Sequence, residues 1–111
     1  MTNKQFCEVW ADAQTAEDRG TYVSDWSTSS LFVDPEDEAA EIDPALVEQL
    51  GQIWDVAHMT MAEIRATTGM TQAAWAERLC CPKRTVENWE YRCCPSHIKL
   101  MIAEQLGLIK R

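Results

Sequence analysis

Long hydrophobic runs are missing from this sequence. No apolar stretch approaches the roughly 20 residues that a membrane-spanning helix needs. The polar start, Met1 to Lys4, lacks the basic-then-apolar order of a secretory signal. We therefore expect a cytoplasmic protein with no membrane partner.

A spaced cysteine framework, typical of secreted disulfide scaffolds, is also missing. Four of the five cysteines form two vicinal pairs, Cys80-Cys81 and Cys93-Cys94, which indicates reduced thiols. With His97 these pairs offer zinc-type ligands, but the predicted helix between them, residues 83–91, is about 12 Å long. Because zinc–sulfur bonds measure ~2.3 Å, the two pairs cannot share one ion. We expect no metal site.

Motifs for catalysis are absent as well. The sequence has no recognisable acid-base pair, phosphate-binding loop or metal-binding motif. No His or Asp stands at a spacing that would identify a base for a nucleophilic cysteine. We therefore expect neither enzymatic activity nor a cofactor.

Basic residues are scarce in the first half of the chain. The 111 residues carry 10 Lys and Arg against 18 Asp and Glu, a net charge of -8. Residues 1–55 hold two bases and thirteen acids, net -11, whereas residues 56–111 hold eight bases and five acids, net +3. Because phosphate contacts need local positive potential, only the second half is suited to bind nucleic acid.

The spacing of apolar residues predicts an all-α protein with an acidic, mostly helical N-terminal extension. Residues 21–33 follow no clean period and fit either a second helix or irregular structure. The acidic run 34–41 is typical of an exposed linker. We predict an acidic region over 1–42, used for dimerisation or partner binding, and a second domain over 43–111. Helices are predicted over residues 3–15, 44–57, 60–68, 72–79, 83–91 and 98–106.

Capping residues mark where several of these helices begin and end. Asp43 followed by Pro44 is typical of an N-cap and a first helical position. Thr60 and Glu63 have the spacing of a capping box, and Gly69 suits the left-handed conformation after a helix.

Two short helices separated by about three residues indicate a helix-turn-helix arrangement. Ala76 and Val86 stand where the two helices must cross closely, and Trp75 and Trp89 are expected to fill the angle between them. The second helix then projects its other face outward, where side chains reach base edges in a major groove. Its exposed positions are predicted to be Lys83, Arg84, Glu87 and Asn88.

Residues 71–90, TQAAWAERLCCPKRTVENWE, resemble the lambda-repressor-like, or XRE-type (Cro/cI-like), helix-turn-helix family. The resemblance covers about residues 57–107. It implies that Gln72 anchors a DNA phosphate, and that Arg65 pairs with Glu90 in a structural salt bridge. Tyr91 and Arg92 suit phosphate contacts and ordinary surface positions equally well. The full set of predicted DNA-binding residues is Thr71, Gln72, Lys83, Arg84, Thr85, Glu87, Asn88, Tyr91 and Arg92.

Two positions depart from the family pattern. Cys80 stands where the turn usually has Gly, so it should adopt a positive φ at a cost of about 1 kcal/mol. Pro82 replaces the usual polar N-cap of the second helix, which should leave a backbone N–H without its side-chain partner.

These patterns predict a sequence-specific DNA-binding transcriptional regulator, a repressor, that binds double-stranded DNA as a homodimer. The alternative is an antitoxin, or an anti-defence protein of a mobile element. In that case the acidic N-terminal half binds a protein partner while the helix-turn-helix autoregulates.

Overall fold

The computed structural model describes residues 1–111 and consists of seven α-helices without a strand. The all-α prediction is therefore confirmed, and the six predicted helices are present with ends shifted by up to two residues. The helices are α1 (Asn3–Ala13), α2 (Arg19–Ser27), α3 (Pro44–His58), α4 (Met61–Ala66), α5 (Gln72–Arg78), α6 (Lys83–Tyr91) and α7 (Ser96–Gln105).

The predicted capping residues begin and end the helices as expected. The Asp43 carboxylate accepts from the Ala45 N–H, with Pro44 at the first helical position of α3. Thr60 and Glu63 form a reciprocal capping box at the start of α4. Gly69 has a φ of 70° after α4. These local interactions satisfy backbone groups that each helix end leaves without a partner.

Residues 21–33, which fitted two alternatives, divide between helix and turns. Helix α2 ends at Ser27 and turns follow it. The Asp18 carboxylate caps α2 by accepting from the Thr21 N–H, and this interaction lowers the pKa of Asp18. Only Tyr22 and Ser27 of α2 are buried, too few to give a helical period. Residues 34–45 are all exposed.

A first hydrophobic cluster, called the N-terminal cluster, forms where α1 and α2 pack against α3. Its largest fully buried side chains are Phe6, Leu50 and Ile53. Ala103 of α7 and Ile109 near the C-terminus complete it. Helix α3 therefore packs with the acidic extension, and the domain boundary after residue 42 stays a prediction.

A second cluster, the C-terminal cluster, lies among α4, α5, α6 and α7. It consists of Met61, Ile64, Trp75, Ala76, Val86 and Ile102. Helix α7 contributes to both clusters, because its neighbouring residues Ile102 and Ala103 belong to different ones. The Lys99 ammonium of α7 also donates to the Ala57 carbonyl of α3, at 3.2 Å. Helix α7 thus joins the two halves of a molecule that measures 54 × 22 × 22 Å.

The helices are too short or too polar for a bilayer. None combines the length and the apolar character that a membrane span requires.

A buried tyrosine links α2 to α1 and predicts sensitivity to alkali. The Tyr22 hydroxyl donates to the Val9 carbonyl at 2.6 Å. Burial, with a smaller contribution from Asp12, raises the pKa of Tyr22 above its ordinary value of 10.0. The stabilisation from the neutral hydroxyl is therefore complete below the unfolded pKa of about 10 and is lost as pH rises toward the higher folded value.

We expect Tyr22→Phe to lower the free energy of unfolding by about 1 kcal/mol at pH 7, because it removes one hydrogen bond. Above pH 10 the wild type should lose stability faster than Tyr22→Phe. Urea unfolding followed by circular dichroism at a series of pH values measures both effects. Parallel pH profiles for the two proteins would contradict the assignment.

Candidate nucleic-acid interface

Helix α6 buries one side and exposes the other. Val86 is fully buried and Trp89 is half-buried, whereas Lys83, Arg84, Glu87 and Asn88 are exposed. These are the four positions that the sequence predicted to face outward. The exposed side combines cations, a carboxylate and an amide, so it offers both hydrogen-bond donors and acceptors.

Helix α5 supports α6 from beneath. Trp75 of α5 is 1% exposed, and its ring meets that of Trp89 edge to face, with 6.5 Å between the centroids. Ala76, which is 3% exposed, belongs to the same buried cluster as Val86. A small side chain at this position permits close approach of the two helices. The packing therefore fixes which side of α6 faces outward.

The turn between α5 and α6 has the two unusual features that the sequence predicted. Cys80 has a φ of 56°, and its N–H donates to the Glu77 carbonyl while the Cys81 N–H donates to that of Ala76. Pro82 provides no side-chain hydrogen bond at the start of α6. Both local predictions are confirmed. The backbone reverses direction at Cys80 although a side chain disfavours this conformation.

Replacing Cys80 with glycine should raise the free energy of unfolding by about 1 kcal/mol, because glycine adopts a positive φ without steric cost. The opposite change at a site of the same conformation, Gly69→Ala at a φ of 70°, should lower it by a similar amount. Nothing lies near a methyl group added there, so only backbone strain is tested. Urea denaturation measures the change in the free energy of unfolding for Cys80→Gly and for Gly69→Ala. A lower free energy of unfolding in Cys80→Gly would contradict the claim that the backbone of Cys80 is strained.

The remaining predicted contact residues surround this exposed side. Tyr91 is 89% exposed at the end of α6, and Arg92 follows it on the surface. Thr85 is half-buried. At the start of α5, the Thr71 hydroxyl already accepts from the Ala74 N–H as an N-cap. The Thr71 hydroxyl oxygen is therefore already engaged within α5, while Tyr91 and Arg92 are open to a ligand.

The predicted structural pair is part of a larger hydrogen-bond network. Arg65 donates through Nε and Nη2 to the Glu90 carboxylate, at 3.1 and 2.9 Å, and through Nη1 to the Met70 carbonyl. Gln72 donates to the same carboxylate at 3.3 Å. The network ties α4 and the start of α5 to the end of α6. The sequence pattern did not reveal the link between Gln72 and Glu90, since 18 residues separate them and no short spacing connects them.

Two cations of the interface have no carboxylate partner. The Lys83 Nζ lies 3.6 Å from the Glu87 Oε1, so this carboxylate on the same helix partly neutralises the charge of Lys83. Arg84 and Arg92 take part in none of the four ion pairs of the protein, and none of those pairs joins α6 to the acidic residues 1–55. The positive charge most available to an anion therefore comes from Arg84 and Arg92.

Comparison with known proteins gives no match. No protein-family model fits the chain, and neither a curated protein nor a solved structure is significantly similar to it. The resemblance of residues 71–90 to the XRE-type family therefore stays a prediction, and the functional argument depends on the geometry of α5 and α6.

Proposed function

We propose that this protein is a sequence-specific DNA-binding transcriptional regulator that uses α5 and α6 as a lambda-repressor-like helix-turn-helix. The observation that carries the proposal is the exposed polar side of α6, which bears an unpaired Arg84 and is backed by the buried Trp75 and Val86. A rigidly supported helix with a free polar side is what major-groove recognition requires.

The side chains on α6 suit particular chemical partners in the groove. Arginine donates two hydrogen bonds to the O6 and N7 atoms of guanine, and asparagine pairs with the N6 and N7 atoms of adenine. Arg84 and Asn88 are one helical turn apart and can read neighbouring base pairs. Glu87 can accept from a cytosine amino group. We assign base reading to these three residues.

Residues at the two ends of the interface are assigned to phosphates. Arg92 lies just past α6, and Gln72 lies in the first turn of α5. The bond from Gln72 to Glu90 uses one N–H of its amide and leaves the other for a phosphate oxygen. The Arg65–Glu90 pair then acts through Gln72 as a positioning element. Phosphate contacts of this kind fix the register of a protein on the duplex without reading sequence.

A homodimer would extend recognition to a palindromic site. Two copies of α6 enter successive major grooves when they lie about 34 Å apart, one turn of duplex. Binding to such a site would repress transcription where the site overlaps a promoter. The net charge of -11 on residues 1–55 would repel DNA from the other faces of the protein and favour the approach through α6.

Selection of duplexes from a random pool tests this proposal. The full chain is incubated with the pool at about 100 mM salt, since affinity depends steeply on ionic strength. We expect enrichment of an inverted repeat whose half-site centres are about 10 base pairs apart. Recovery of unrelated sequences by a folded protein would contradict sequence-specific recognition.

The acidic residues favour a second candidate function. Residues 34–43 carry six Asp or Glu and are fully exposed. An antitoxin or anti-defence protein would use this part of the chain to bind a basic protein partner, with the helix-turn-helix regulating its own operon. A stable complex with a basic protein that forms equally well with Arg84→Ala would favour this second function.

A further inference from the structure

A cleft beside the proposed DNA interface, with which it shares Arg92, is lined by sulfur-containing side chains from distant parts of the chain. It lies between the end of α3, the start of α4 and the turn that joins α6 to α7. Met59 comes from the α3–α4 connection, and Cys93 and Cys94 come from the turn. Cys93 is exposed, whereas Cys94 and Met59 are half-buried.

Two other side chains of this cleft that could bind a metal already make contacts within the protein. His58 stacks on Trp54, and its Nε2 lies 2.9 Å from the Ala13 carbonyl. The Glu90 carboxylate accepts from Arg65 and Gln72. Met61, the second thioether that lines the cleft, is 2% exposed and belongs to the C-terminal cluster. Cys93, Cys94 and Met59 are therefore the more exposed sulfur-containing residues of the cleft. No group of three or more His, Cys, Asp or Glu side chains is placed to hold a metal ion, which disfavours zinc, because a structural zinc site uses four such ligands.

We propose that Cys93, Cys94 and Met59 form a binding site for a soft monovalent cation, Cu(I). Thiolate and thioether ligands select Cu(I), which needs fewer ligands than tetrahedral zinc. On binding, the two S–H bonds break, two copper–thiolate bonds form, and two protons pass to the buffer. Copper stays Cu(I) throughout. The two thiolates and the ion leave a net charge of -1, which the Lys99 ammonium in the same cleft balances.

Backbone hydrogen bonding distinguishes the Cys93–Cys94 pair from the Cys80–Cys81 pair. Neither the Cys93 N–H nor the Cys94 N–H donates a backbone hydrogen bond, so the turn can adjust to bring both sulfurs to one ion. The N–H groups of Cys80 and Cys81 are both bonded within the α5–α6 turn. The cleft at Cys93 also supplies a third sulfur, from Met59. The second vicinal pair is therefore a matched control within the same chain.

Competition between the full chain and the chelator bicinchoninate for Cu(I), without oxygen, tests the site. We expect the wild type to retain one equivalent of Cu(I). The double variant Cys93→Ser/Cys94→Ser should lose this equivalent, and Cys80→Ser/Cys81→Ser should retain it. Met59→Leu is a volume-conserving change. It should weaken binding by about 10-fold or more, because it removes a direct ligand and loss of even an outer-shell partner costs about 10- to 100-fold. Circular dichroism establishes that each variant is folded.

Three results would overturn the site. The first is failure of the folded wild type to hold copper against the chelator. The second is equal loss in the two double-serine variants, which would show unspecific thiol binding. The third is unchanged affinity in Met59→Leu, which would reduce the site to a free dithiol. None of these measurements involves DNA, so the result is independent of the proposed regulator function.

Discussion

Replacing Trp75 with alanine should lower the free energy of unfolding by about 3 to 5 kcal/mol, the largest effect expected of any single substitution in α5 or α6. Trp75 is the largest fully buried side chain of the protein, and it contacts Trp89 edge to face. The substitution leaves a cavity beneath α6 and removes this contact. Because single domains unfold with about 5 to 15 kcal/mol, the substitution should remove a large share of the total stability.

Urea unfolding followed by far-UV circular dichroism measures this loss. The matched control is Trp26→Ala, because Trp26 is half-buried at the edge of the N-terminal cluster and bonds through Nε1 to the exposed Asp12. Trp26→Ala should lower the free energy of unfolding by clearly less than Trp75→Ala does. Equal costs for the two substitutions would contradict the central position of Trp75 in the C-terminal cluster.

Replacing Arg84 with alanine should weaken binding to the selected duplex by about 1 to 3 kcal/mol, or roughly 5- to 150-fold, if the guanidinium reads a base. Specificity at one base pair of each half-site should relax at the same time. Arg84 is exposed and unpaired, so its removal disturbs no ion pair of the folded protein. Fluorescence anisotropy with the selected duplex and with single-base variants of it measures both quantities.

Two companion variants separate base reading from simple charge. Arg84→Lys keeps the charge but loses the bidentate fork, so it should bind nearly as weakly as Arg84→Ala when a base is read. Lys110→Ala removes an exposed cation near the C-terminus, away from α6, and should leave affinity within twofold. Full binding by Arg84→Lys would instead assign Arg84 to a phosphate. Unchanged binding by Arg84→Ala would remove it from the interface.

Local sequence patterns predicted much of the fold. Asp43 with Pro44, and Thr60 with Glu63, predicted where two helices begin, because capping depends on residues within one turn. The positive φ of Cys80 followed instead from the resemblance to the XRE-type family, whose turn usually has Gly at this position. The same local patterns predicted which side of α6 is exposed, since burial of Val86 and Trp89 follows the helical period.

Interactions between distant residues were not predictable in this way. Helix α2 has a weak apolar period because only Tyr22 and Ser27 of it are buried, and its position depends on α1 and α3. The burial of Ile109 in the N-terminal cluster needs the turn after α7 to bring the C-terminus back to α1 and α3. The hydrogen bond from Gln72 to Glu90 likewise forms only once the helices pack. The same is true of the cleft that Met59 and Cys93 line together.

The most direct test of the account is backbone amide NMR of the full chain during titration with the selected duplex. We predict that the largest shift changes fall on residues 83–92 and at the start of α5, with little change in α1 and α2. A binding-dependent change confined to residues 1–55, or no change in α6 at saturating duplex, would contradict the claim that the exposed side of α6 recognises DNA.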